Sequence, residues 1–349
     1  MGLIKLPETS IQFFKDNVDE IFQSGAFAEG KWNKAIAQCV EQLTGAEKAV
    51  ATSSNGTGVV ALLQLYRHYF GRSKCLLQSN TMYGVKIMPI SAGLDVVGYA
   101  DCSTATLMPT LEQAEVAIAG LEKPDETVFL LTHIGGVVNP DIEAIAALCR
   151  EKNVILLEDC AHSYSATLYG KHTGLFGNAG VYSFYATKAL PAGEGGCIVT
   201  NDKALGEMLS KYVIYDRFDQ QQEIGNNIRP SEMQALLTYA ALKEVDEILD
   251  NKRAIAAQYM AVCDKYDIPY FHQDSDGQKG NYYKFLVLSK SGDVNQDYPN
   301  LKTKTSPVYD YALGNSVQVN TSHVCLPIWY GQPQEVTDKA IAELISHYE

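Results

Sequence analysis

The stretch "VILLEDCAHS" (154 to 163) runs an apolar block into two acids, Glu158 and Asp159. Twenty-nine residues beyond Asp159, Lys188 stands in "GVYSFYATKALPAGEGG", between a second apolar block and a glycine-rich turn. Taken singly, Asp159 reads as a cap for the next helix and Lys188 as a solvated side chain. Placed on successive strand ends, the pair suits one chemistry in particular. A pyridoxal phosphate (PLP) enzyme needs a lysine amine to carry the cofactor and an acid to keep its pyridine nitrogen protonated, so that the ring can accept electrons. A third requirement is a phosphate cradle. "TSSNGTGVVALLQLY" (52 to 66) sets small residues and glycines directly before a helical pattern, where free N–H groups and the helix dipole favour an anion. Ser183, five residues before Lys188, adds a hydroxyl at the same strand end. Neither GxGxxG nor GxxxxGK[ST] occurs, which argues against Rossmann dinucleotide binding and P-loop phosphoryl transfer.

The elements that must position these residues follow from hydrophobic patterning. Short apolar blocks bounded by turn residues fall at 48–52, 75–79, 95–100, 127–134, 154–159, 179–185 and 196–201, with helical patterns at 58–70 and 141–152 between some of them. Such alternation predicts an α/β domain with a mostly parallel sheet, and ligands of such sheets sit at the carboxyl ends of the strands. After residue 200 the texture changes to long helical stretches, of which "SEMQALLTYAALKEVDEILDNKRAIAAQYMAVCDKY" is the clearest. A polar stretch at 272–281 and a short strand in "YYKFLVL" follow. We expect a large domain over 1–240 and a smaller C-terminal domain over 241–349, joined through that helical stretch.

Bulk properties narrow the function classes. The 349 residues carry a formal charge of −13, which argues against nucleic acid or an anionic membrane as a partner. No run approaches ~18 uninterrupted apolar residues, and the opening "MGLIKLPETSIQFFKDN" lacks the basic-then-apolar pattern of a secretory signal. The expected location is the cytoplasm. Eight cysteines are scattered without CxxC or paired Cys/His spacing, so we expect buried thiols in a reducing compartment and no metal site.

The segments "SGAFAEGKWN", "TSSNGTG", "LEDCAHSYSA", "GVYSFYATKAL", "GEGGCIVTND" and "GNNIRPSEMQA", in this order along most of the chain, resemble the PLP-dependent keto-sugar aminotransferases of the DegT/DnrJ/StrS type. The resemblance implies the fold of the aspartate aminotransferase superfamily (PLP fold type I): a large three-layer α/β/α domain with a mostly parallel mixed sheet, plus a smaller C-terminal α+β domain. It implies Lys188 as the cofactor-bearing lysine and proton shuttle, Asp159 as partner of the pyridinium nitrogen, and His162 beside the cofactor's ring oxygen. Gly56, Thr57 and Ser183 then hold the phosphate. Asn227 reaches the phosphate of a neighbouring subunit, so the site is shared across a homodimer, and Arg229 belongs to the same segment. For the residue stacked on the ring, the resemblance leaves Tyr83 and Met82, with Tyr83 favoured. Pro230 departs from the usual methionine, and the chain after residue 270 is shorter than usual, where the acceptor pocket is shaped.

The implied activity moves an amino group from an amino acid, L-glutamate or L-glutamine, through PLP and its amino form PMP to a keto-sugar. A nucleotide-linked acceptor, amino-sugar biosynthesis and a role in lipopolysaccharide or other surface polysaccharide are the expectation, with a free keto-sugar acid or a cyclitol ketone as the alternative. PMP-dependent sugar dehydration is disfavoured because relatives that perform it replace the lysine with histidine. A non-catalytic sensor on the same fold is disfavoured by the complete set of site residues.

Overall fold

The computed structural model describes residues 4–275, 277–305, 308–309, 312–314 and 319–346. The amino-terminal part begins with α1 (Glu8–Ser24), α2 (Lys31–Thr44), β1 (Lys48–Thr52) and α3 (Asn55–Phe70). It continues through β2 (Lys74–Gln78), α4 (Tyr83–Ser91), β3 (Asp95–Ala100), α5 (Leu111–Ala119), β4 (Thr127–Thr132), α6 (Ile142–Glu151) and β5 (Ile155–Cys160). Two short strands, β6 (Thr167–Leu168) and β7 (Lys171–His172), precede β8 (Ala179–Ser183), β9 (Gly196–Thr200) and α7 (Lys203–Tyr212). The helical stretch after residue 230 is two helices, α8 (Glu232–Leu242) and α9 (Val245–Lys265), separated at Lys243 and Glu244. The last elements are β10 (Gln278–Lys279), β11 (Phe285–Leu288), α10 (Val294–Asp297), β12 (His323–Leu326) and α11 (Gln334–Ile345).

Seven strands form one sheet in the order β1-β9-β8-β5-β4-β2-β3. The pairs from β3 to β8 are parallel, while β9 runs antiparallel to both β8 and β1. Successive residues alternate between two buried faces, as a strand's period of two requires. Val50, Cys75, Leu77, Val128, Leu130 and Leu157 pack with α3, α4 and α7. Ala49, Ala51, Cys197 and Val199 pack on the opposite face with α1, α2 and α8, and Leu76, Phe129, Leu131 and Leu156 do so with α5 and α6. Burial on both faces explains why these strands read as unbroken apolar runs rather than as alternating ones. This is the expected three-layer α/β/α arrangement.

A separate cluster of Ile255, Tyr259, Phe285, Val287, Leu326, Ala340 and Leu344 joins α9, β11, β12 and α11 into the smaller α+β part. We propose the division near residue 240, at the break between α8 and α9; the first turns of α9 still pack through Val245, Ile248 and Leu249 on the large part, and the separate cluster draws on nothing before Ile255. Seven of the eight cysteines are buried, whereas Cys39 on α2 is only half-buried; all eight are free thiols. Among the described residues no helix is long and apolar enough to cross a membrane.

Candidate active site

The carboxyl ends of β4, β5 and β8 lie side by side. Register pairs Thr132 with Asp159 and Asp159 with Val181, which sets Ser183 two residues beyond that level on the neighbouring strand. Glu158 and Asp159 are adjacent in sequence and therefore face opposite sides of the sheet. Glu158 turns to a loop it organises. Its Oε1 accepts from the backbone N–H groups of Phe176 (2.8 Å) and Gly177 (2.7 Å), and its Oε2 accepts from Gly174 N–H (2.7 Å) and pairs with His133 Nε2 (2.8 Å). His133 Nδ1 in turn accepts from the Asn139 N–H at 3.0 Å. His133, Glu158 and Cys160 lie together, buried, with their ligand atoms within 4.8 Å of one another, and these bonds occupy both Glu158 oxygens and both His133 ring nitrogens.

Asp159 turns to the site. Its Oδ1 accepts from Asn55 Nδ2 at 3.0 Å and from the Ala161 N–H at 3.1 Å, and its Oδ2 accepts from Thr132 Oγ1 at 3.4 Å. Burial raises its pKa, against the hydrogen bonds and the charge of Lys188, which lower it. A buried carboxylate poised in this way is stabilised by a cation brought against it.

Lys188 follows β8 on the loop that returns to β9. The residue is half-buried, yet its ammonium lies deep enough that burial brings its pKa down to about 8, with Asp159 opposing that shift and Lys284 adding to it. Its Nζ stands 5.0 Å from the ring centroid of Tyr283, with Lys284 Nζ 5.5 Å from the same ring. Tyr283 stacks on His162 at 4.4 Å between centroids. His162 is buried, and burial first, then Lys188 and Lys284, hold its pKa well below the ordinary value, so the imidazole is neutral. Its Nε2 lies 3.4 Å from the Tyr309 hydroxyl, and its buried Nδ1 has no protein partner. A buried, unpartnered ring nitrogen points to a ligand group that completes the site.

Ser54 caps α3, accepting from the Thr57 N–H at 3.1 Å, while the Thr57 hydroxyl accepts from the Ser54 N–H at 3.2 Å. Gly56 and Thr57 line a cleft of about 480 Å³ together with Ser54, Met88, Asn226 and Ile228. Gly196, paired with Ser183 across β8 and β9, approaches so closely that a Cβ there would lie 2.5 Å from the Ser54 carbonyl carbon and 2.6 Å from the Asn55 nitrogen. The close approach brings Ser183 and the start of α3 to one place, as a phosphate requires.

Asn227 is exposed. Its Oδ1 accepts from Arg229 Nη1 at 2.7 Å, and Arg229 Nε pairs with Glu29 at 2.5 Å. Glu232, three residues on, is buried and caps α2, accepting from the N–H groups of Trp32 (2.9 Å) and Asn33 (3.1 Å). That contact joins "SGAFAEGKWN" to "NNIRPSEM", two segments about 200 residues apart. Tyr83 opens α4 and is 54% exposed, with Met82 just before it at 45%; both stand on the surface of the single chain.

The residues thus gathered suit PLP: an acid buried at a strand end, an amine of lowered pKa, a neutral imidazole with an orphan nitrogen, and a helix start brought against a strand-end serine. Asn55, Thr132, Tyr283 and Tyr309 join the set without having been singled out from the sequence. Only Asn55 had a local signal, as the first residue of the glycine-bearing helix start.

The sequence profile of the DegT/DnrJ/EryC1/StrS aminotransferase family matches residues 9–337. A curated relative, GDP-perosamine synthase of Escherichia coli O157:H7, is 26% identical over 206 residues, 58% of this chain and 55% of the relative. The chain therefore aligns with just over half of that relative's length. Among solved structures, the aminotransferase TlmJ from Streptoalloteichus hindustanus superimposes with a TM-score of 0.83 at 22% identity, covering 100% of this chain and 98% of that one. Helicobacter pylori PseC, an aminotransferase involved in the biosynthesis of pseudoaminic acid, does so with a TM-score of 0.83 at 18% identity, covering 99% and 98%. The chain belongs to the DegT/DnrJ/EryC1/StrS aminotransferase family, whose members are PLP-dependent enzymes.

Proposed function

We propose that this protein transfers an amino group from L-glutamate to a nucleotide-linked keto-sugar for amino-sugar and surface-polysaccharide biosynthesis. The observation that carries the reading is the convergence of Asp159 and Lys188 at neighbouring strand ends, close enough that the charge of each acts on the other. PLP, when bound, supplies an electron sink that lets a proton leave the carbon beside the amino group. Asp159 would hold the proton on the pyridine nitrogen. Lys188 Nζ would carry the cofactor and, once released, take up and return the substrate proton; a pKa near 8 leaves a useful share of neutral amine at physiological pH. His162 would meet the cofactor's ring oxygen through its unpartnered Nδ1. Ser183, Gly56 and Thr57 would hold the phosphate.

Asn227 would complete the phosphate site of a second copy. Arg229 occupies the Asn227 oxygen, leaving its amide N–H groups to donate. Mixing Lys188→Ala with Asn227→Asp subunits should restore roughly a quarter of wild-type activity if subunits pair at random in a two-fold dimer; a mixture as inactive as its parents, despite subunit exchange, removes Asn227 from this role. The nucleotide-linked acceptor is favoured by the likeness to GDP-perosamine synthase. Adding L-glutamate alone to the PLP-loaded protein tests the reaction: the visible absorbance should fall and 2-oxoglutarate appear in equal amount. No response to L-glutamate or L-glutamine contradicts it.

A further inference from the structure

We infer that Lys252 on α9 anchors a carboxylate of the amino donor, an assignment that rests on the transaminase reading above. Lys252 is only 3% exposed, and among the described residues its ammonium has no hydrogen bond or ion pair. It borders a narrow crevice that also meets Lys5, Thr187, Lys188, Tyr283 and Trp329. No described acidic residue lines this crevice. The nearby Tyr330 hydroxyl, which could have turned inward, instead donates to Glu247. Three lysines therefore border one crevice that no described acid lines, and of the three Lys188 alone feels a carboxylate, that of Asp159, in a chain whose formal charge is −13.

A buried ammonium without a partner is unfavourable, and such a group persists where a ligand supplies the missing charge. Burial first, and then the like charge of Lys284, bring the pKa of Lys252 down to about 7, as expected for a buried cation near another cation. An arriving carboxylate reverses that balance, and the surrounding low dielectric strengthens the pair. Size selects the class of ligand. The free space of about 30 Å³ has room for about two waters, the footprint of two carboxylate oxygens rather than of a sugar ring. Position selects the source. The crevice reaches Lys188, so a ligand whose carboxylate meets Lys252 brings its neighbouring amino-bearing carbon toward the reaction centre, as an α-amino acid does.

The test titrates the PLP-loaded protein with glutarate, a dicarboxylate without an amino group, by isothermal calorimetry. Glutarate should bind wild type and bind Lys252→Met at least tenfold more weakly, while the variant keeps its PLP and melts no lower than wild type because an unpaired buried charge has gone. Should Lys252→Met not fold, Lys252→Gln takes its place. Equal glutarate affinity in variant and wild type, or no glutarate binding by wild type, overturns the assignment. Glucuronate is the comparison ligand: if Lys252 matters for glucuronate and not for glutarate, the carboxylate belongs to a sugar acid and the donor assignment falls. If Lys252-dependent glutarate binding is found but L-glutamate leaves the absorbance unchanged, the anion site stands and the transaminase reading fails.

Discussion

The side-chain amide of Asn55 bridges two strands, donating to Asp159 Oδ1 at 3.0 Å and to the Val181 carbonyl oxygen at 2.8 Å. The first residue of α3 thereby fixes the acid of β5 and the backbone of β8 at once, so the helix start and the strand-end acid share one anchor. Asn55→Ala leaves the buried Val181 carbonyl without this donor and removes one of the bonds that lower the pKa of Asp159 against its burial. Stability should fall by about 1–3 kcal/mol and PLP affinity by roughly tenfold, the equivalent of about 1.4 kcal/mol. Urea unfolding and a PLP fluorescence titration read the two effects; wild-type values in both would show that the clamp does not hold the site.

Close approach at Gly196 gives a second prediction. An alanine Cβ there collides with the Ser54 and Asn55 backbone, and backbone cannot turn aside as a flexible side chain can. Gly196→Ala should lose about 1–3 kcal/mol of stability through overpacking and lose PLP binding, because the start of α3 must move from Ser183. Gly98→Ala on β3 is the control, since its Cβ would meet Leu76 at an ordinary 3.6 Å. Equal melting temperatures for the two variants would contradict the argument.

Lys252 gives a dependence of stability on pH. Its folded pKa of about 7 lies below the ordinary 10.5, so between those values the unfolded chain binds a proton that the folded chain does not, and stability rises with pH. The penalty is complete below pH 7 and is relieved toward pH 10.5, at about 1.4 kcal/mol per pH unit. Lys188, with a pKa near 8, adds in the same direction from pH 8 upward. Lys284, Lys5 and the Tyr330–Glu247 pair also face this region, so the contribution of Lys252 is taken as wild type minus Lys252→Met. That difference should shrink as pH rises; a difference constant from pH 7 to 10 would mean that Lys252 does not titrate there.

Six strands of the main sheet were legible because burial on both faces writes them as apolar runs, the edge strand β3, largely exposed or half-buried, through its run of β-branched and aromatic residues, and Asp159 and Lys188 stood out because each follows an apolar run. Local spacing could not tell Glu158 from Asp159 as the site acid; the pleat decides it, sending one to the 174–177 loop and the other to the ligand face. Thr132 enters through register with Asp159, a relation between strands 27 residues apart. Tyr283, Lys284 and Lys252 come from chain 64 to 96 residues beyond Lys188, and only packing of the small part against the large one brings them to it. The break between α8 and α9 was invisible because Lys243 and Glu244 are ordinary helix formers; tertiary packing turns the chain there.

The central claim is that Lys188, and no neighbouring lysine, carries the cofactor. Borohydride reduction of the PLP-loaded protein followed by peptide mapping measures this directly, since Lys188, Lys252 and Lys284 fall on separable peptides. The account predicts the pyridoxyl label on Lys188 alone, with Lys188→Ala unlabelled. A label on Lys252 or Lys284 in the wild-type protein would contradict it.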